Sequence, residues 1–416
     1  MAGFAMFAFT DILGIAPALA GIVFLAARGW DAVNDPLMGL LADRTRTRWG
    51  RFRPWLLWTP LPIGLLAALM FIRPALSGRA LLTYGTLVYV LWGMVYTLND
   101  IPMWALTTAM TRNPDERVQL ITWGRAGAMV GLGVPTVALP ALAGLLGGNG
   151  AGPAWGGAAV LLIAVSVPLM LWAFLGTRER VPASAAAAGL RPLARMIGRN
   201  RPLQIVLIGG LLNSLTFLAQ SMVVYFVTHN LRSPRLMVWF GGLGILMLAA
   251  GVLLTPPLAR RIGKRRAMIV TSLLRSVVGG ALYVSGYTYL PLAILLYALL
   301  VGLMGPGIVL QTAMIADSVD YGERRTGIRS EGLTFSFQTF LAKANAALGG
   351  LIGGVLLARV GYEAGSVQSL RTLQGIWAIL TIGPALSGIL NAIPFLWYPE
   401  DSDPGRGDMA QMEKVD

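Results

Sequence analysis

The feature of this sequence that most restricts its fold is a series of long apolar segments separated by short polar clusters. Most of these segments reach the roughly 20 residues that an α-helix needs to cross a bilayer. Only 12% of the residues are charged, whereas a soluble domain carries about 25%. The pattern predicts an all-α polytopic membrane protein and excludes a compact water-soluble enzyme. We predict twelve membrane spans, at approximately 1–10, 13–41, 54–74, 80–110, 119–147, 156–176, 202–229, 237–258, 267–288, 290–317, 332–361 and 373–398.

The first segment is shorter than the others. The apolar stretch before Asp11 covers only about half a bilayer at ~1.5 Å per helical residue. We therefore expect the first helix to be incomplete in this sequence. A misassigned start codon is the explanation that we favour, with a degraded gene or a naturally short variant as the alternatives.

Basic residues predict the orientation of the chain. Of the 33 Lys and Arg residues, 23 lie in segments on one side of the predicted spans and in the C-terminal tail. The positive-inside rule places these segments, and with them the loop 44–53, in the cytoplasm. We expect a multi-pass protein of the bacterial inner membrane. Its net charge of +14 then faces anionic lipid and not nucleic acid.

The spans divide into two halves of six. We predict an N-terminal bundle at 1–177, a cytoplasmic central loop at 178–201, a C-terminal bundle at 202–398 and a cytoplasmic tail at 399–416. Each half has a basic turn after its second span, ADRTRTRWGRFR and ARRIGKRR, which is typical of the parallel repeat in transporters. The central loop is either an amphipathic helix on the inner leaflet or a solvated linker.

Several ionisable side chains lie inside the predicted spans, where each costs about 2.5–3.5 kcal/mol on insertion scales. Asp31 lies twelve residues before Asp43, and Asp100 lies twelve residues before Arg112, which corresponds to ~18 Å along a helix. The same estimate places the whole set in one layer near the middle of the bilayer, as expected for a midplane binding site. The set consists of Arg28, Asp31, Asp35, Asp100, Arg125 and Lys343.

Asp31 and Asp35 are four residues apart and therefore share one helical face with Arg28. Two carboxylates at this spacing repel each other unless a cation or a proton lies between them. Oxygen ligands favour a hard cation, so the pair predicts a Na⁺ or H⁺ site, with Asp31 and Asp35 as the metal ligands if Na⁺ is used. The alternative is a structural salt bridge to Arg28 or Arg125.

Tyr96, Asp100 and Trp104 also share one helical face. A carboxylate between two aromatic rings suits a sugar, whose hydroxyls donate to the carboxylate while its apolar face stacks on a ring. Lys343 is one of three lysines in a chain that otherwise uses arginine. A compact, titratable charge in the middle of the membrane favours a function over packing.

Four long motifs resemble one known family. They are WDAVNDPLMGLLADRTRTRWGRFRPWLL at 30–57, LWGMVYTLNDIPMWAL at 91–106, DERVQLITWGR at 115–125 and ADSVDYGERRTGIRSEGLTFSFQTFLAK at 316–343. In order and in content they are similar to the glycoside–pentoside–hexuronide:cation symporters, the melibiose-permease group of the major facilitator superfamily. The resemblance implies the major facilitator fold of two six-helix bundles, with twelve transmembrane helices and alternating access.

The resemblance also implies roles for individual residues. Its cation-site residues fall on Asp31, Asp35 and Thr97. Its substrate-site residues fall on Tyr96, Asp100, Trp104, Arg125, Gln338, Thr339 and Lys343. A cytoplasmic gate of salt bridges between the bundles falls on Arg117, Asp317, Asp320, Arg329 and Glu331. Ordinary interfacial ion pairing is the alternative for these last five.

The sequence departs from melibiose permease at two places. Ile308 stands where that protein has a second sugar-site Trp, and the positions of its Lys-Asp pair on helix one would precede Met1. Both departures weaken the case for α-galactosides as the substrate.

We expect a secondary active transporter that carries a sugar or glycoside together with Na⁺ or H⁺, with no cofactor beyond the coupling cation. A carrier of an amphipathic lysolipid-like substrate and a non-transporting truncated relative are the alternatives. We do not expect an enzyme, because the chain has no HExxH, GxSxG or P-loop motif. Its expected partners are the small-molecule substrate, the coupling cation and membrane lipid.

Overall fold

A computed structural model of the chain describes residues 4–147, 153–181, 198–233, 236–327, 329–363 and 366–399. Throughout these ranges the regular elements are helices, and a single β-bridge joins Thr47 and Gly50. Most of the predicted central loop, 182–197, and the predicted tail from residue 400 onward lie outside the described residues. The all-α prediction is confirmed.

Twelve helical segments follow one another along the chain, and each corresponds to one predicted span. We number them α1 (Ala5–Phe7, continued by Ala8–Ile12), α2 (Pro17–Arg44), α3 (Arg53–Trp58 and Pro60–Met70), α4 (Gly78–Met110), α5 (Pro114–Leu145), α6 (Pro153–Gly176), α7 (Arg201–Leu212, Asn213–Thr216, Phe217–Tyr225 and Phe226–Asn230), α8 (Met237–Leu253 and Thr255–Ile262), α9 (Lys264–Ser285), α10 (Leu290–Gly302 and Met304–Thr326), α11 (Glu331–Arg359) and α12 (Leu370–Phe395).

Length and hydropathy qualify eight helices of the described residues as candidate membrane spans. The number becomes nine if the two parts of α8, bent by 42°, form one span. The longer apolar part of α3, Pro60–Met70, is shorter than a full span. In α2, charged side chains within the span, such as Asp31 and Asp35, lower the mean hydropathy.

The ends of several helices follow from ordinary capping chemistry. Pro114 opens α5, a position where a missing N–H costs nothing. The side chains of Asn200 and Ser369 accept backbone N–H bonds at the starts of α7 and α12. Gly327, with a φ of 69°, ends α10 in the left-handed conformation.

The N-terminal unit comprises Met1–Arg112, Gly127–Ala186 and Arg329–Phe340. Its apolar core includes Phe9, Met70 and Ala143, all buried. In this unit α2 and the start of α11 pack with their backbones in direct contact. A Cβ atom added at Gly39 would lie 2.6 Å from the carbonyl oxygen of Gly332.

The C-terminal unit comprises Asn113–Ala126, Ala187–Ile328 and Leu341–Asp416. Four aromatic side chains lie together in its core. The ring of Phe226 is 5.6 Å from that of Phe240 and 4.9 Å from that of Trp377, and Phe240 is 5.4 Å from Tyr297. The division of the sequence into bundles at 1–177 and 202–398 stays a prediction.

Candidate functional site

Arg28 and Asp31 form an ion pair on the predicted cation face of α2. Arg28 Nη1 donates to Asp31 Oδ2 at 3.0 Å, and Arg28 Nη2 donates to the Tyr89 hydroxyl at 3.1 Å. The salt bridge that the sequence left open as an alternative for Asp31 is therefore present. It neutralises one of the two carboxylates of the pair.

Asp35, the second carboxylate of the pair, is wholly buried. The hydroxyl of Thr97 on α4 donates to Asp35 Oδ1 at 3.1 Å, and Thr97 is buried as well. The structure thus brings together two of the three predicted cation-site residues through a direct hydrogen bond.

Asn34 is a polar residue of this site that the sequence reasoning missed. It lies beside Asp35 in sequence and one helical turn after Asp31. Its side chain is buried, and neither Nδ2 nor Oδ1 has a hydrogen-bond partner among the described residues. A carboxamide oxygen is a common ligand of hard cations. Its spacing of three residues from Asp31 was the available signal.

The side chains at this place on α2 and α4 are rich in oxygen atoms. Carboxylate, hydroxyl and carboxamide oxygens are the ligands that hard cations prefer. Over the described ranges, no group of three or more His, Cys, Asp or Glu side chains is placed to hold a metal ion.

Two donors hold the carboxylate of Asp100 on α4. Trp104 Nε1 donates to Asp100 Oδ1 at 3.2 Å, and Thr339 Oγ1 on α11 donates to Asp100 Oδ2 at 2.9 Å. Three of the predicted substrate-site residues therefore meet in the N-terminal unit. Trp104 is only 5% exposed, so its indole mainly positions the carboxylate.

An aromatic ladder runs along the same helix. The rings of Tyr89 and Trp92 stack at 6.4 Å, and those of Trp92 and Tyr96 stack at 5.4 Å. Tyr96 is 42% exposed and offers a ring face to a ligand. Trp92 was not predicted as a site residue, although it precedes Tyr96 by one helical turn.

The remaining predicted substrate residues are divided between the two units. Gln338, in the N-terminal unit, is buried, and its Oε1 has no hydrogen-bond partner among the described residues. In the C-terminal unit, Arg125 Nη2 donates to Thr312 Oγ1 at 2.7 Å, and Lys343 is half-buried. A single layer that contains all six charges stays a prediction.

The predicted gate residues form two buried networks, one within each unit. In the N-terminal unit, Glu331 accepts from Arg329 Nε at 2.5 Å and pairs with Arg51 Nη1 at 2.7 Å. All three side chains are buried. Arg329 Nη2 also donates to the carbonyl oxygen of Thr108 at 3.3 Å. Arg51 is a member of the network that the sequence reasoning missed.

Two further carboxylates hold the chain around this network. Both oxygens of Asp43 accept backbone N–H groups at the start of α11, from Gly332 at 2.8 Å and Leu333 at 3.1 Å. Glu179 accepts the backbone N–H groups of residues 51–53 at 2.7–3.1 Å. Carboxylates at such positions satisfy N–H groups that a helix leaves unpaired. They fix the loop from which Arg51 reaches Glu331.

The network of the C-terminal unit centres on Arg117. Its Nη1 pairs with Asp320 Oδ2 at 2.8 Å and with Asp317 Oδ1 at 3.3 Å. Lys264 Nζ pairs with the other oxygen of Asp317 at 2.5 Å. Lys264 was not predicted, but it lies in the second basic turn, as Arg51 lies in the first. Each of the repeated turns thus supplies one cation to a buried network.

Comparison with known proteins identifies the family. The family model for MFS/sugar transport proteins matches residues 4–402. The isoprimeverose transporter of Lactiplantibacillus pentosus is 34% identical over 406 residues, which are 95% of this chain and 84% of the relative. The inner membrane symporter YicJ of Escherichia coli is 33% identical over 402 residues, 93% of this chain and 85% of the relative.

Solved structures agree on the fold. A bacterial homologue of the iron transporter ferroportin, in an outward-facing state, superposes with a TM-score of 0.66 at 17% identity. The superposition covers 95% of this chain and 94% of that one. The major facilitator fold predicted from the sequence is confirmed. The chain belongs to the MFS/sugar transport protein family and is a multi-pass transporter of the bacterial inner membrane, not an enzyme.

Proposed function

We propose that this protein carries a sugar or glycoside by symport with a monovalent cation, Na⁺ or H⁺. The observation that supports it most is the position of both candidate sites on α4. Thr97 donates to the buried Asp35, and Asp100 receives Trp104 and Thr339. Thr97 and Asp100 are three residues apart, so they are neighbours on one helical turn.

The polar groups around Asp35 suit a small cation. Asp31 pairs with Arg28 at 3.0 Å, and the buried carboxylate of Asp35 accepts from the hydroxyl of Thr97. The buried carboxamide of Asn34, which has no hydrogen-bond partner among the described residues, would supply an amide oxygen to Na⁺.

The geometry at Asp100 fits a ligand rich in hydroxyl groups. Each carboxylate oxygen has two lone pairs, and the donors on Trp104 and Thr339 use one on each oxygen. Sugar hydroxyls would donate to the remaining pairs, while the exposed ring of Tyr96 packs against an apolar sugar face. The name of the isoprimeverose transporter supports a sugar or glycoside as the substrate class.

Coupling between the sites would run through α4. Cation binding at Asp35 changes the hydrogen bonds available to Thr97, and any resulting shift of this helical turn moves Asp100. Thermodynamic linkage then requires the sugar to raise the cation affinity by the same factor. Symport by alternating access follows if only the empty carrier and the carrier loaded with both ligands change between the outward-open and inward-open conformations. The predicted inner gate on Arg117, Asp317, Asp320, Arg329 and Glu331 belongs to this proposal.

An Asp35→Cys variant tests the assignment. In membrane vesicles we expect it to lose sugar accumulation driven by a cation gradient, because the candidate cation site is gone. Exchange of internal for external sugar, which needs no net cation movement, should persist in part. Asp115→Cys, at an exposed cytoplasmic position, is the matched control and should keep accumulation. Unchanged gradient-driven uptake by Asp35→Cys would contradict the proposal.

A further inference from the structure

Arg275 on α9 is a buried cation that the transport proposal does not use. It lies eleven residues after Lys264, or ~16 Å along the helix, and is only 2% exposed. Its one hydrogen bond among the described residues runs from Nη2 to Asn213 Oδ1 at 2.7 Å. Its Nε has no partner there. No carboxylate within the described ranges forms an ion pair with Arg275.

The helices of the C-terminal unit offer no acid near this depth. The sequences of α7, α8, α9 and α12 contain neither Asp nor Glu. The acidic residues of α10 lie in its last turns, where Asp317 and Asp320 already pair with Arg117 and Lys264. The described side chains of this unit therefore leave the guanidinium without a counter-ion, and an isolated buried charge is strongly unfavourable.

The polar groups around Arg275 are amides and hydroxyls, and none of them is negatively charged. Asn213 Oδ1 also accepts from Thr216 Oγ1 at 2.9 Å and from Ser387 Oγ at 3.4 Å, and these two hydroxyls are themselves hydrogen-bonded at 2.9 Å. Arg275 therefore shares its one acceptor with the hydroxyls, while the Nδ2 group of the same amide can only donate. The remaining N–H groups of Arg275 can only donate as well. Asn213 begins the 3₁₀ segment Asn213–Thr216, where α7 departs from α-helical geometry.

From this buried positive charge, which has no paired carboxylate among the described residues and an unsatisfied Nε, we infer that Arg275 and the amide of Asn213 bind a small monovalent anion inside the C-terminal unit. The anion is either chloride or the carboxylate or sulfonate of an acidic sugar, and the second source rests on the proposed function. An anion supplies both the missing charge and the missing acceptors. A guanidinium with an adjacent amide N–H suits such groups.

The test measures the melting temperature of the purified full chain at constant Na⁺, with chloride replacing sulfate. Wild type should be stabilised by about 2 °C for each tenfold rise in chloride above its Kd, relative to Arg275→Gln under the same salts. Arg275→Gln should lose the response. Asn213→Asp keeps the shape of the site and places a built-in carboxylate beside the guanidinium. It should melt like the chloride-saturated wild type and no longer respond to chloride.

Two further arms complete the experiment. Arg371→Gln, at an exposed position at the start of α12, is the control and should keep the full response. Stabilisation by sodium glucuronate but not by glucose or chloride would assign the site to an acidic substrate. The inference is wrong if neither anion stabilises wild type, or if the response survives in both Arg275→Gln and Asn213→Asp. The experiment measures stability and not transport, so a negative result for the anion site would leave the symport proposal untouched.

Discussion

The carboxylate of Asp100 is oriented from two sides before any ligand arrives. Trp104 lies four residues later on the same helix, and Thr339 approaches from α11. Hydrogen bonds to a charged group contribute more than neutral ones, about 1.5–3 kcal/mol each. Such fixed groups lower the entropic cost of binding a flexible, hydroxyl-rich ligand.

Removal of one donor at Asp100 should weaken sugar binding. Trp104→Phe deletes the indole N–H but keeps an aromatic ring, so we expect the apparent KM for sugar to rise about tenfold. Thr339→Val should have a similar effect. Uptake by vesicles over a range of sugar concentrations measures the change. Trp123→Phe alters a tryptophan that is 71% exposed and should leave KM unchanged. An unchanged KM in both site variants would mean that this carboxylate does not bind the sugar.

Asn34 allows a test of the cation site that separates a ligand from a packing residue. Replacing a buried, unsatisfied amide with Leu usually stabilises a protein, because an unfavourable desolvated group is lost. If Asn34 binds Na⁺, Asn34→Leu should instead raise the Na⁺ concentration for half-maximal uptake, by about tenfold or more. The melting temperature without Na⁺ should stay the same or rise. A stabilised variant with unchanged Na⁺ dependence would assign Asn34 to packing alone.

At the scale of elements, a close backbone contact in the N-terminal unit joins α2 to the start of α11. Gly39 faces the backbone of Gly332, and a Cβ atom on Gly332 would lie 2.4 Å from the carbonyl oxygen of Gly39. Four residues after Gly39, Asp43 accepts the N–H groups of Gly332 and Leu333. The close approach is what allows the short carboxylate of Asp43 to reach α11.

Gly39→Ala should therefore separate the two helices. We expect a loss of about 1–3 kcal/mol of stability, measured as a lower melting temperature and as reduced transport. Gly21→Ala is a matched control on the same helix, since a Cβ atom there meets nothing within 4 Å. Equal melting temperatures for the two variants would contradict the packing described for α2 and α11.

The sequence predicted the helices well because the membrane leaves few alternatives. Backbone groups in lipid must bond within a helix, so apolar runs bounded by polar clusters located the twelve helical segments of the described residues. The charged side chains on α2 and α4 were predicted as site residues because burial in lipid makes them costly. Asp35 and Thr97 met as the resemblance implied.

The sequence did not reveal which of the charged residues near the basic turns become buried. Arg51 and Lys264 lie among many basic residues that the positive-inside rule already explains, so nothing local marked them. Their burial follows from the packing of α10 and α11 near the basic turns. Asn34 and Trp92 were missed because neither carries a charge and neither falls on a site position that the resemblance implies. Their roles depend on neighbours that only the folded chain supplies.

At the scale of the whole molecule, the family identity and the two candidate sites together describe a carrier. The chain matches the MFS/sugar transport family over residues 4–402. Within one unit, α4 contacts the cation candidate through Thr97 and holds the substrate candidate at Asp100. A transporter arranged in this way should not bind sugar and cation independently, because both ligands act on the same helical turn.

The most direct test of this account measures both fluxes in proteoliposomes that contain the purified protein. A panel of sugars and glycosides, isoprimeverose included, first identifies a transported substrate. Under an imposed inward Na⁺ or H⁺ gradient, that substrate should accumulate above its external concentration, because its entry is coupled to the entry of the cation. An ionophore that removes the gradient should abolish the accumulation. Sugar that only equilibrates, with the same rate whether or not a gradient is present, would contradict the account.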